Sequence, residues 1–183
     1  MAGKIGVLAL QGAFAKHEQM LEKLGISSLK VRHPKELFEC RALIIPGGES
    51  TAMTCQIHEM NFLEPLKEFA KTRPLFGTCA GMILMAKKGV LSLLDITVTR
   101  NAYGGQRHSF HAPLDLPFSQ APLQALFIRA PCITAIHSEA VQILAEQGGT
   151  PVLIQQGFHL AASFHPELTD DPSIHQYFLG LGR

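Results

Sequence analysis

Short apolar segments alternate with amphipathic ones through the first half of the chain, and this alternation constrains the fold more than any other feature. The order is strand 4–10, helix 13–24, strand 29–32, short helix 34–39, strand 42–45, helices 49–60 and 62–71, and strand 74–77. Strands that alternate with helices in this way are typical of βαβ units, whose strands pair in parallel. The sequence therefore predicts a mainly parallel sheet flanked by helices.

The second half has a different pattern. After a helix to Lys88, residues from about Asp95 onward form short strand-like segments separated by the turn dipeptides Gly104-Gly105, Gly148-Gly149 and Gln156-Gly157. Such dipeptides favour antiparallel hairpins, and 172–181 closes the chain as a helix. A chain of 183 residues has the size of one ordinary domain, so we expect a single α/β domain over 1–183 with a mixed, mainly parallel sheet.

Charge and hydropathy argue against several classes of protein. Sixteen Lys and Arg against fifteen Asp and Glu give a formal net charge of +1, and there is no basic run to bind the phosphates of a nucleic acid. No apolar segment approaches the length that crosses a bilayer, and the first one is too short for a signal peptide. We expect a cytoplasmic protein that binds neither nucleic acid nor membrane.

The cysteines predict neither a metal site nor a disulfide framework. They are widely spaced, without a C-x-x-C pair, at Cys40, Cys55, Cys79 and Cys132. Free thiols in a reducing compartment are the simplest interpretation. We therefore expect no bound metal and no cofactor.

One cysteine stands in a reactive setting. Gly77-Thr78-Cys79-Ala80-Gly81 joins a strand to a helix and has the G-x-C-x-G pattern of a nucleophile elbow. The turn strains the nucleophile's backbone and projects its side chain, and a helix N-terminus favours the thiolate. A small buried cysteine is the alternative, but the elbow favours a nucleophile at Cys79.

A base for this nucleophile is available in Ser163-Phe164-His165-Pro166-Glu167. Proline biases the preceding residue toward an extended backbone, in which residues two apart point to the same side. His165 can then take the thiol proton while Glu167 orients the imidazole. H-P-E alone is a weak motif, and the upstream elbow is what strengthens it.

Acyl transfer also needs donors for the developing oxyanion. The backbone N–H of Ala80, just after the nucleophile, is one candidate. Gly47-Gly48 follows another parallel strand and can bring the N–H of Gly48 to the same sheet edge, although a plain turn remains open for this segment.

Taken together, these residues resemble the class I, or triad, glutamine amidotransferases, and more closely the glutaminase subunits of pyridoxal 5′-phosphate synthases. The elbow and H-P-E are shared by the wider class, and the other segments narrow the resemblance. Six segments carry it: 6–13 (GVLALQGA), 46–51 (PGGEST), 76–81 (FGTCAG), 99–101 (TRN), 127–131 (FIRAP) and 163–168 (SFHPEL).

The resemblance implies a three-layer, flavodoxin-like fold and the hydrolysis of L-glutamine to glutamate and ammonia through a cysteine thioester. It also implies a synthase subunit as partner, which receives the ammonia and builds pyridoxal phosphate. The implied triad is Cys79, His165 and Glu167. The implied glutamine-binding residues are Gly48, Glu49, Ser50, Arg100, Ile128 and Arg129.

The helix after Gln11 is a candidate for the surface that contacts the synthase, with Gln11 and His17 as its first residues to consider. His17 shares a helical face with Phe14 and Leu21, so it is interpreted as a core or interface histidine outside the active site. The family commonly has arginine where this chain has Gly105. A glutaminase serving another amidotransferase and a catalytically silent assembly subunit remain the alternative functions.

Overall fold

A computed structural model describes residues 3–100 and 109–181 of the chain. The elements of the first half follow the alternation of the sequence: β1 Lys4–Leu8, α1 Phe14–Lys23, β2 Ser28–Val31, a 3₁₀ helix Pro34–Glu39, β3 Cys40–Ile45, α2 Ser50–Glu59, α3 Leu63–Ala70, β4 Leu75–Thr78 and α4 Ala80–Met85. The second half is mostly strands: β5 Ile96–Thr99, β6 Ser109–Leu114, β7 Leu123–Ile128, β8 Cys132–Ile136, β9 Val141–Gln147, β10 Thr150–Gln156, β11 His159–Ala162, a 3₁₀ helix Pro166–Leu168 and α5 Ser173–Gly180.

A seven-stranded mixed sheet forms the centre of the fold, in the order β2-β1-β3-β4-β11-β10-β9. The first five strands in this order are parallel. The other two continue the sheet as antiparallel neighbours. The expected mixed, mainly parallel sheet is thereby confirmed, with β11 as the strand that joins its parallel and antiparallel parts.

Two smaller sheets lie outside the central one. β5 pairs antiparallel with β8, and β6 pairs antiparallel with β7. The β6–β7 pair contributes to one apolar core, where the rings of Phe110 and Phe127 stack with centroids 4.7 Å apart. The carbonyl of Leu126 accepts a hydrogen bond from the N–H of His165, so this hairpin also holds the segment that follows β11.

Each face of the central sheet packs on its own apolar cluster. Side chains of β1 alternate between the two: Leu8 belongs to the cluster under α2, α3 and α4, whereas Ile5 and Val7 belong to the one shared with α1 and α5. This alternation follows from the two-residue period of a strand. The result is three layers, with helices on both faces of the sheet.

The observed boundaries differ from the sequence expectations in a few places. β1 ends at Leu8 rather than residue 10, and α4 ends at Met85 rather than Lys88, because Ala86 pairs with Leu94 in an isolated bridge. The turns at Gly148-Gly149 and Gly157 connect antiparallel strands as expected, whereas Gly104-Gly105 lies outside the described residues. Over the part of the chain that the structure describes, no helix is long and apolar enough to span a membrane.

Candidate active site

The predicted site residues lie mainly in the segments that follow four parallel strands, at one edge of the sheet. The segments that follow β1, β3, β4 and β11 begin at the carboxyl ends of those strands, and parallel strands present these ends together. β2 lies on one side of β1 and β3 lies on its other side, so the strand order reverses at β1. Open α/β sheets bind their ligands where the strand order reverses in this way.

Cys79 occupies the strained turn between β4 and α4. Its φ of 49° and ψ of −104° lie outside the regions that a non-glycine residue ordinarily adopts. Two contacts hold the turn: the N–H of Cys79 donates to the carbonyl of Ala162 at 2.8 Å, and Gly81 packs so closely on β3 that a β-carbon there would lie 2.1 Å from the Ile45 oxygen. The observed turn therefore has the backbone strain expected of a nucleophile elbow.

His165 and Glu167 contact each other as the H-P-E spacing predicts. His165 Nδ1 lies 2.7 Å from Glu167 Oε1, and both residues are buried. Burial would lower the pKa of His165, but its hydrogen bonds to Cys79 and Glu167 outweigh burial and raise that pKa to about 10. Burial would likewise raise the pKa of Glu167, but His17 and His165 lower it, so the carboxylate stays ionised beside the imidazole.

The loop after β3 packs against the loop after β1. Ala13 N–H donates to the carbonyl of Gly47 at 3.1 Å, and Gln11 Nε2 donates to the carbonyl of Glu49 at 2.9 Å. In a trans peptide the N–H points opposite to the carbonyl. The N–H of Gly48 therefore points away from Ala13, and Gly47 itself packs between Cys79 and His165, with no room for a β-carbon on the His165 side.

A cleft of about 380 Å³ opens above Cys79. Its size suits a small metabolite better than a polymer. The predicted residues that line it are Gly48, Glu49, Ser50, Cys79, Ala80, Arg100, Ile128, Arg129 and His165. The structure thus brings together all the residues predicted for the nucleophile, the base, the oxyanion donors and the glutamine site, with Glu167 behind His165.

Two of these residues have structural partners that the sequence did not indicate. The side chain of Glu49 caps α2, accepting from the N–H groups of Thr51 at 3.0 Å and Ala52 at 2.7 Å, and these hydrogen bonds lower its pKa. Arg100 donates from Nη1 to Thr51 Oγ1 at 2.9 Å. The beginning of α2 therefore fixes a carboxylate and a guanidinium at the rim of the cleft.

His17 requires a correction. Its side chain has no exposed surface, so it cannot lie on a surface that contacts a partner, and the interface role expected for it is wrong. It also lies closer to the active site than expected, with Nε2 3.5 Å from Glu167 Oε2 and 3.2 Å from Thr78 Oγ1. The core position is confirmed, but this core lies directly beneath the predicted triad.

Gly12 and His175 lie at the candidate site, and neither of them was predicted there from the sequence. Gly12 lines the cleft and could have been found from the Gln11-Gly12-Ala13 turn at the end of β1. His175 Nε2 lies 3.0 Å from His17 Nδ1, and no local signal pointed to it, because α5 and α1 are at opposite ends of the chain. Within residues 3–100 and 109–181, no group of three or more His, Cys, Asp or Glu side chains is arranged to hold a metal ion.

Comparison with known proteins agrees with this geometry. The model of the SNO glutamine amidotransferase family matches residues 7–181. The chain belongs to the SNO glutamine amidotransferase family. Cys79, His165 and the cleft above them all lie within the span that the family model matches.

Curated relatives match nearly the whole chain. A protein of Desulforudis audaxviator is 47% identical, with 96% of this chain and 97% of the relative covered. One of Pelotomaculum thermopropionicum is 48% identical, with 96% and 93% covered. Both are named pyridoxal 5′-phosphate synthase subunit PdxT.

Solved structures share the fold. A crystal structure of a glutamine amidotransferase superimposes with a TM-score of 0.92 at 42% identity, covering 98% of this chain and 99% of the other. The structure of PurLQS from Thermotoga maritima gives a TM-score of 0.78 at 15% identity, with 98% of each chain covered; at that identity the likeness concerns the fold alone. The expected amidotransferase fold is confirmed.

Proposed function

We propose that this chain is the glutaminase subunit of a pyridoxal 5′-phosphate synthase and that it hydrolyses L-glutamine to glutamate and ammonia. The observation that carries the proposal is the line of contacts from Cys79 through His165 to Glu167 beneath the cleft. The names of the relatives from Desulforudis audaxviator and Pelotomaculum thermopropionicum support the choice of synthase.

In the proposed reaction, Cys79 is the nucleophile. Its proton passes to His165, and Sγ attacks the side-chain amide carbon of glutamine to form a tetrahedral oxyanion. The imidazolium then returns the proton to the amide nitrogen, so that ammonia leaves and a thioester remains. A water molecule, deprotonated by His165, cleaves the thioester to release glutamate and restore the thiol. Glu167 stabilises the imidazolium and holds its Nδ1–H.

The oxyanion donors in this proposal are the N–H groups of Gly48 and Ala80. The hydrogen bond from Ala13 to the Gly47 carbonyl supports a role for Gly48, because it turns the next N–H away from α1. Well-placed donors of this kind contribute about 3–4 kcal/mol each to transition-state stabilisation. Loss of the Gln11–Glu49 contact would loosen the same loop.

Glutamine is proposed to bind along the cleft, with its carboxylate toward Arg100 and Arg129 and its amide beside Cys79. Both arginines are exposed at the rim, where an incoming carboxylate can reach them. Gly48, Glu49, Ser50 and Ile128 complete the proposed pocket through their positions on its walls.

The proposed partner is a separate synthase subunit that takes up the ammonia. Direct transfer is chemically favoured, because ammonia released into neutral water becomes ammonium and loses its nucleophilicity. The exposed surface around Gln11, at the mouth of the cleft, is the proposed contact region. We further propose a single glutaminase domain over 1–183 and a cytoplasmic location, where glutamine is available.

The test is glutamate release from glutamine by the purified chain, alone and with a pyridoxal 5′-phosphate synthase subunit. We expect activity that rises with the synthase and disappears in Cys79→Ala. The variant should still bind the synthase, because Cys79 is small and buried. Binding without hydrolysis in the unaltered chain would favour an assembly subunit, and hydrolysis that survives Cys79→Ala would exclude the thioester.

A further inference from the structure

A buried chain of polar side chains extends the proposed triad on the side away from the cleft. It runs from His175 on α5 to His17 on α1 and on to Glu167, with His17 Nδ1 3.0 Å from His175 Nε2 and His17 Nε2 3.5 Å from Glu167 Oε2. All three side chains are buried to 4% exposure or less. Buried polar groups at such distances constrain one another strongly, because there is no water to replace a lost partner.

Glu167 uses only one of its two oxygens for the catalytic histidine. Oε1 accepts from His165, whereas Oε2 is buried without a hydrogen-bond partner among the described residues, and His17 Nε2 lies 3.5 Å from it. A carboxylate oxygen only accepts hydrogen bonds. His17 Nε2 is the side-chain nitrogen that lies toward Oε2, and an N–H there can be shared between Oε2 and Thr78 Oγ1, 3.2 Å away.

The tautomer of His17 follows from this geometry. Burial lowers the pKa of His17, although Glu167 opposes the shift, so the ring is neutral and carries one proton. If that proton were on Nδ1, the lone pair of Nε2 would face the Glu167 carboxylate. With the proton on Nε2, Nδ1 accepts from His175 Nε2–H, and each N–H in the chain is directed toward Glu167.

The second ring nitrogen of His175 agrees with this direction. His175 Nδ1 has no hydrogen-bond partner among the described residues. When His175 donates from Nε2, its Nδ1 is a bare lone pair, and burying an acceptor without a partner costs less than burying an N–H without one. In the opposite direction His175 would bury an N–H at Nδ1 without a partner, and Glu167 Oε2 would lose the N–H of His17.

We propose that His17 is a positioning residue, which donates from Nε2 to Glu167 Oε2 and thereby holds Oε1 against His165. His175 sets the tautomer of His17 by donating from Nε2 to His17 Nδ1. The expected effect on glutamine hydrolysis rests on the proposed glutaminase function. The expected tautomer of His17 and its contact with Glu167 do not. The titratable groups that face His17 are Glu167, His165 and His175, and those that face Glu167 are His17 and His165.

The first test needs no substitution. Nitrogen-15 NMR of the histidine rings distinguishes a protonated from an unprotonated ring nitrogen, and we expect Nε2–H and a bare Nδ1 for His17 near neutral pH. A proton on Nδ1 of His17 would overturn the proposal.

The second test uses the reactivity of Cys79 and does not depend on glutamine. The rate at which iodoacetamide alkylates Cys79, followed on the Cys79 peptide by mass spectrometry, reports how readily His165 takes the thiol proton at each pH. In His17→Leu we expect the midpoint of this profile to rise by about one pH unit, because Glu167 holds the imidazolium less firmly. In His17→Gln, which restores an N–H at similar reach, we expect the wild-type profile.

His159→Leu is the matched control. This half-buried histidine accepts from the N–H of Leu75 at 3.2 Å, so its loss also removes a hydrogen bond from the fold, but it has no contact with the triad. We expect His159→Leu to lower the melting temperature while the alkylation profile stays unchanged. If His17→Leu behaves in the same way, His17 is merely structural and the proposal fails; it also fails if His17→Gln matches His17→Leu.

Glutamine hydrolysis with the synthase subunit completes the series. We expect kcat to fall about tenfold in His17→Leu with little change in KM, and to recover in His17→Gln. An unaltered chain without Cys79-dependent hydrolysis would overturn the glutaminase function, while the alkylation profiles would still decide the role of His17. Equal kcat in the unaltered chain and His17→Leu would overturn the positioning role alone.

Discussion

Gly12 lies directly against the backbone carbonyl of Gly47. A β-carbon at position 12 would stand 1.8 Å from that oxygen, and the residue has a φ of 86°, which L-residues with a side chain adopt only under strain. This approach lets the next residue, Ala13, donate its N–H to Gly47. The loop after β3 can therefore adopt its shape only because residue 12, in the loop after β1, has no side chain.

Gly12→Ala should displace the loop that carries Gly48. Because the clash is with backbone atoms, we expect kcat/KM for glutamine to fall at least about tenfold, as small displacements of catalytic groups do. The control is Gly25→Ala, since Gly25 also has a positive φ, 69°, but has nothing within 4 Å of an added β-carbon. That variant should lose about 1 kcal/mol of unfolding free energy and keep its activity. Equal activity in the two variants would contradict the role assigned to Gly12.

The raised pKa of His165 should make the stability of the fold depend on pH. The pKa of His165 is about 10 in the folded chain, above the value of about 6.5 for an unfolded histidine. The bound proton therefore contributes its full stabilisation below about pH 6.5 and loses it as the pH rises toward 10. Urea unfolding near pH 6 and pH 9.5 should show a decline that is greater in the unaltered chain than in His165→Gln, by more than about 1.4 kcal/mol. Parallel declines would show that His165 is not the group responsible.

Gly81→Ala should destabilise the elbow. Its added β-carbon would lie 2.1 Å from the Ile45 carbonyl oxygen, so α4 would have to move away from β3, at a cost of about 3 kcal/mol. Gly180→Ala, at the end of α5 and with nothing within 4 Å, should leave the stability unchanged or raise it by less than about 1 kcal/mol. Thermal unfolding of the two variants measures the difference, and similar melting temperatures would argue against close packing at Gly81.

Arg100 should act mainly on substrate binding. If its guanidinium meets the glutamine carboxylate, Arg100→Ala raises KM about tenfold or more and changes kcat less. Thr51→Val removes the hydroxyl that accepts from Arg100 but keeps the charge, so we expect a smaller rise in KM. Steady-state kinetics with the synthase subunit separates the two effects; an unchanged KM in Arg100→Ala would remove this residue from the binding site.

The sequence was sufficient to predict the parts of the site that depend on local patterns. The nucleophile elbow around Cys79 was predicted from the two glycines that flank it between a strand and a helix. The contact of His165 with Glu167 was predicted from the two-residue period of an extended chain. The parallel strands were predicted for the same reason, since apolar segments and amphipathic helices alternate within a few residues of each other.

Contacts between distant segments could not be predicted in this way. His17 was correctly placed on the apolar face of α1, but its neighbours are set by how α1 and α5 pack beneath the sheet, and no pattern within one segment reports that packing. The separate β5–β8 and β6–β7 pairs are a second example, because strand-like segments do not specify their partners. The side chain of Glu49 caps α2 only in a particular rotamer, and the pattern of apolar and polar residues in the sequence does not predict that rotamer.

β4 and β11 are neighbours in the sheet, but the ribosome synthesises them at very different times. Cys79 emerges from the ribosome early, but His165, Glu167 and the Ala162 carbonyl that pairs with the Cys79 N–H belong to a segment translated much later. A nascent or truncated chain that stops before β11 thus carries the thiol without its proposed proton acceptor and without the strand that fixes its backbone. The proposed roles therefore predict that an unfinished chain neither hydrolyses glutamine nor releases ammonia.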